Sequence, residues 1–96
     1  MSLYYVRHQH TNETCPARNP EMGQFLLEHL SPQNARKHGI QIQSDAVIDG
    51  QHTLVMIVDA ETTDQVQNFM QPFQAAGSVE ILPASKCETV VERAGC

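Results

Sequence analysis

Between Leu3 and His10 the side chains fall into two alternating sets. Tyr4, Val6, His8 and His10 share one side, and Leu3, Tyr5, Arg7 and Gln9 the other, which is the period of a β-strand. A loop follows from Thr11 to Arg18. Asn19-Pro20 then offers an N-cap with proline at the first helical position. Met22, Phe25, Leu26, His29 and Leu30 recur at i, i+3, i+4, i+7 and i+8, the stripe of a helix. Ser31-Pro32 restarts a short helical segment that Gly39, just after His38, terminates. Ile40 to Ile48 reads as a second strand with Ile40, Ile42, Ala46 and Ile48 in phase, and Asp49-Gly50 signals a hairpin. A third strand runs from His52 to Val58, and its stretch Leu54-Val55-Met56-Ile57-Val58 is apolar on both faces. A second helix carries Val66, Phe69, Met70 and Phe73 on one face, with Gly77 beyond its end, and Val79 to Leu82 is a fourth strand. Ser85-Lys86-Cys87-Glu88 has the form of a capping box opening a short C-terminal helix that Gly95 closes.

The resulting order is βαββαβ plus a terminal helix, a single α+β domain over 1–96 of the ferredoxin-like kind. Right-handed crossovers place the first and third strands in the centre of a four-stranded antiparallel sheet, with the second and fourth at its edges. Met22, Phe25, Phe69, Met70 and Phe73, at helical spacing, are assigned to the core. Two helices cover only one face of such a sheet. The third strand is apolar on both, so a second copy of the sheet is expected on the open side, making a homodimer.

Composition narrows the partners. Of 96 residues, 41% are hydrophobic and 18% charged, the balance of a globular chain, and the net charge is −5. Six Lys and Arg residues form no run, which argues against a nucleic-acid partner. No apolar stretch approaches the roughly 20 residues of a membrane span. The N-terminus lacks the basic and apolar regions of a secretory leader, so none is expected. Three cysteines, an odd number without a CxxC pair, fit reduced thiols in the cytoplasm, although a Cys87–Cys96 bridge remains open at this level. Nucleophile elbows, phosphate-binding glycine loops, dinucleotide fingerprints and the CxxCH haem attachment are all absent.

The chemistry-bearing residues concentrate in Arg7-His8-Gln9-His10-Thr11-Asn12-Glu13-Thr14-Cys15-Pro16. His8 and His10, two apart in a strand, leave the same face of the sheet. The topology sets His52 at that end of the neighbouring strand, and Cys15 leaves from there in the following loop. Three imidazoles and a thiol suit a tetrahedral ion such as Zn²⁺, or a copper site. Glu13 or Asp49 could replace one ligand or hold an imidazole tautomer. Cys15 reads equally as a reactive thiol or an inert one. Cys87 belongs to the opposite end and joins the site only if its helix folds back or crosses to a partner. Its spacing with Val90, Val91 and Ala94 reads as burial. His29 is read as a core-edge residue able to line a pocket, and His38 as a partner of a helix C-terminus.

The segments His8-Gln9-His10-Thr11, Glu13-Thr14-Cys15-Pro16-Ala17, Gly50-Gln51-His52-Thr53-Leu54 and Phe69-Met70-Gln71-Pro72-Phe73 resemble those of a small bacterial family of unassigned activity, within the dimeric α+β barrel superfamily. That resemblance implies two sheets packed face to face and a ligand pocket between sheet and helices. It also implies relatives among cofactorless monooxygenases, haem-degrading enzymes, isomerases and ligand-sensing domains. Fold does not dictate activity. Besides a metal site, the alternatives are a metal-free small-molecule enzyme of the monooxygenase or isomerase type, with His8 or His10 as general base, and a non-catalytic ligand-binding domain.

Overall fold

A computed structural model describes residues 1–96, and its centre is one antiparallel sheet. Strands β1 (Ser2–His10), β2 (Gln41–Ile48), β3 (Thr53–Ala60) and β4 (Gly77–Ala84) lie in the order β2-β3-β1-β4. The helices are α1 (Pro20–His29), α2 (Pro32–Lys37), α3 (Thr63–Phe69), α4 (Gln71–Gln74) and α5 (Cys87–Glu92), with a 3-10 turn over Pro16–Arg18. This is the expected α+β architecture, with β1 and β3 central and a C-terminal helix, compatible with a ferredoxin-like fold.

Alternation along the central strands creates the core. Tyr4 and Val6 of β1 pair in register with Val58 and Met56 of β3, and these four, with Leu54 and Ala60, are buried on one face. Val66, Phe69, Met70 and Phe73 cover them from above, joined by Ala35 and Ile40. Each of the larger apolar side chains among these stabilises the fold by roughly 1.5–3 kcal/mol when removed from water. Caps fix where the helices begin. Asn19 Oδ1 accepts from the backbone N–H of Glu21 and Met22 at the start of α1, as its sequence predicts. Thr62 and Gln65 form a reciprocal capping box at α3.

Several expectations are corrected. The second helix is two helices: Pro72 has no N–H to continue the ladder and its ring crowds the preceding turn, so the chain turns at Met70 and restarts. A β-bulge between Ile42 and Ser44 shifts the register of β2 against β3. Ile42 therefore faces the helices, whereas Ala46 and Ile48, in phase with it by number, face the open side. Met22 and Phe25 are not core residues. They are 44% and 50% exposed, because α1 rests on the 3-10 turn and α2 while α3 and α4 occupy the sheet, leaving Leu26 and Leu30 to touch the core. At the C-terminus, Lys86 occupies the N-cap of α5 without a side-chain cap bond, so the Ser85 capping box does not form. No residue of α5 is buried and Cys87 is exposed, contrary to its apolar spacing, because α5 lies beyond the layers that make the core. Ala94, not Gly95, takes the positive φ that follows the helix.

The second face of the sheet carries Tyr5, Val55 and Ile57, half-buried, with Leu82 and Ile48 exposed at its sides. No helix is long and apolar enough to cross a membrane.

Candidate metal centre

At the end of β1 the strand delivers His10 to the hairpin that joins β2 to β3. The backbone N–H of His10 donates to the carbonyl of His52 at 3.1 Å, which fixes the two residues side by side. His52 is not part of the third strand, as its sequence position suggests, but closes the four-residue turn Asp49–His52 with φ 50°. Asp-Gly supplies the reversal through Gly50 at φ 74°. His52 then takes a second left-handed conformation that carries the chain into β3 and sets its ring against His10. The two centroids are 5.3 Å apart at 67°.

Cys15 reaches this point through two successive turns. Thr11 and Thr14 bond each other through side chain and backbone, and Thr14 Oγ1 donates to the Ala76 carbonyl at 3.1 Å, tying the loop to the start of β4. The Cys15 carbonyl then accepts from Arg18 N–H and opens the 3-10 turn. One ligand atom from each of His10, Cys15 and His52 lies within 4.8 Å of the other two. Zn–S of about 2.3 Å and Zn–N of about 2.0–2.1 Å in a tetrahedron require ligand atoms about 3.5 Å apart, a difference that side-chain rotation covers. Three protein ligands also leave a tetrahedral ion one open position.

The surroundings leave His10 short of hydrogen-bond partners. Both ring nitrogens of His10 are buried without a hydrogen-bond partner among the protein groups. Burial, and beside it the charge His52 would carry, push the His10 pKa below its usual value. Its imidazole is thus held neutral, the form that ligates a metal. His8 stands directly behind. Its ring stacks on His10 with centroids 5.2 Å apart, meets Phe73 edge-on at 5.1 Å, and is only 2% exposed. Its Nδ1–H donates to the Ser78 carbonyl at 3.0 Å, while burial lowers its pKa more than that bond raises it.

The remaining candidates are dispersed. His8 shares the face of His10 but does not belong to the three-residue group. Glu13 and Asp49 are exposed in the loop and the hairpin, outside the group. His29 is satisfied: Nε2–H donates to the Phe69 carbonyl at 2.7 Å, Nδ1 accepts from Asn34, and its ring stacks on Phe69. His38 donates through Nδ1 to the Asn34 carbonyl at 2.9 Å. Cys15, Cys87 and Cys96 are free thiols, and Cys87 follows the far end of β4, which pairs with the start of β1. A cavity of about 810 Å³ lies between α2 and the β2 edge among Leu30, Ala35, Arg36, Ile42 and Gln65, and no histidine lines it.

Some supporting residues carry no chemical signature. Ser78 acts through its backbone and Phe73 through its ring edge. Gly77 is legible as a glycine at a strand end, a mark of close approach. A β-carbon there would sit 2.0 Å from the Gln9 carbonyl oxygen, one residue before His10. No protein-family model matches this chain, and no curated protein matches it.

Proposed function

We propose that this chain binds one transition-metal ion, zinc or copper, through His10, Cys15 and His52, and that it works as a homodimer of the dimeric α+β barrel kind. The observation that carries the metal reading is the group itself: two imidazoles and a thiol gathered from a strand, a loop and a hairpin, with both His10 nitrogens buried and unpartnered. Polar atoms in such a position need a partner, and an ion supplies it. Two imidazoles and one thiolate favour zinc, cuprous or cupric ions over calcium or magnesium.

The open fourth position suits an exchangeable ligand, and with it metal-assisted chemistry at a bound water or small molecule. The dimer is supported by the open sheet face, where the apolar residues of β1 and β3 have no cover within the chain.

Elemental analysis of protein purified without chelators tests the assignment. About one equivalent of zinc or copper per chain is expected. Cys15→Ser and His10→Ala should each bring it close to zero while the far-ultraviolet dichroism stays unchanged. Full metal content in both variants would reject these ligands.

A further inference from the structure

We infer that His8 and His10 together form a second binding site beside the metal, for a single hydroxyl group that accepts from His10 and donates to His8. This rests on the metal reading above, and follows from counting donors and acceptors. A neutral imidazole has one N–H and one lone pair. The Ser78 carbonyl only accepts, so His8 Nδ1, 3.0 Å away, carries the proton. His8 Nε2 is therefore a bare acceptor, in a ring 2% exposed and with no protein donor in reach. On His10, the metal takes the lone pair and leaves the N–H, which is buried and has no protein acceptor.

One buried donor and one buried acceptor remain, on rings stacked at 28° with centroids 5.2 Å apart. Stacked rings direct their in-plane nitrogens past each other, so the two do not bond directly. A carboxylate or carbonyl cannot donate to Nε2, and an ammonium cannot accept from the N–H. A hydroxyl oxygen does both. The ligand is accordingly water or the hydroxyl of an organic molecule. His8 becomes a positioning residue: through that oxygen it orients the His10 ring on the metal, as outer-shell groups do for metal-bound histidines.

Zinc affinity of the full chain, read by competition with a chromophoric chelator, tests this in wild type, His8→Phe and His8→Gln. His8→Phe keeps the ring packing but removes the acceptor, and should weaken zinc binding by about 10–100-fold with stoichiometry still one. His8→Gln, whose amide oxygen restores an acceptor, should recover most of that loss. Wild-type affinity in His8→Phe would overturn the inference, as would His8→Gln binding no better than His8→Phe. A crystal structure of zinc-loaded wild type decides the matter independently of how the variants fold. An oxygen within about 3.2 Å of both His8 Nε2 and the metal-free nitrogen of His10 is expected, and its absence would overturn the inference. An isolated peak identifies water, and density continuing from the oxygen identifies an organic hydroxyl. Failure of wild type to take up either zinc or copper would instead remove the metal reading, and this site with it.

Discussion

At φ 50° the backbone of His52 crowds its own β-carbon against the following carbonyl, a conformation that glycine adopts freely. The cost is about 1 kcal/mol, and it falls on a residue whose ring belongs to the candidate site. His52→Gly should therefore raise stability in urea denaturation by about 1 kcal/mol in the absence of metal, and at the same time abolish metal uptake. An unchanged or lower stability would show that the His52 side chain contributes more to the fold than its backbone costs. The two inner histidines make a further prediction. Burial lowers the pKa of His8 and His10 from 6.5, so the unfolded chain binds protons at a higher pH than the folded one. Stability is then fully present above about pH 6.5 and is lost as the pH falls through the depressed folded values. Denaturation midpoints of the metal-free protein should drop between pH 7.5 and 5.5, and His10→Gln should flatten that slope. A flat profile in wild type would contradict the assigned burial.

Among the elements, β4 carries a constraint out of proportion to its length. Gly77 pairs with His10, and its missing side chain lets β4 approach β1 beside the site. Gly77→Ala would set a methyl group against backbone, which cannot rotate away. A loss of about 3 kcal/mol in denaturant titrations is expected, at the upper end of overpacking costs. Metal content should fall with it, since the end of β1 must move. Proline and the bulge work in the same local manner: Pro72 folds one predicted helix into two, and the irregularity after Ile42 turns the later half of β2 over. Proline's effect on a helix is readable from sequence, because the missing N–H and the crowding ring are local to the residue. The bulge is not, since period two along 40–48 is satisfied equally well by an uninterrupted strand.

For the whole molecule, the uncovered sheet face is the feature to test. Tyr5, Val55 and Ile57 lie on it beside exposed Leu82 and Ile48, whereas the helices enclose the opposite face. Sedimentation equilibrium should return twice the chain mass, and Ile57→Glu, placed in the middle of β3, should return the monomer with its metal retained. A wild-type monomer would mean that this face stays in water. The cavity along α2 and the β2 edge lies on the helix side of the sheet, away from this face, and brings no histidine to a bound molecule. This separation weighs against a metal-free mechanism in which His8 or His10 serves as the base for a ligand held there.

The sequence by itself determined what depends on neighbours along the chain. Alternation placed His8 and His10 on one face, Asn19-Pro20 opened α1, and the order of elements led to β1 and β3 at the centre. Each follows from backbone geometry and hydrogen bonds spanning a few residues. The convergence of the site was legible only in part. Topology brought His10, Cys15 and His52 to one end of the sheet, but their grouping depends on the left-handed turn at His52 and the threonine-tied loop before Cys15. The withdrawal of Met22 and Phe25 from the core, the exposure of Cys87 and the enclosure of His8 between Phe73 and the Ser78 carbonyl were decided by tertiary structure alone. Such outcomes turn on which surfaces compete for one sheet face and which buried polar atoms find partners. Residues far apart in the chain settle both questions together, so no local pattern can encode them.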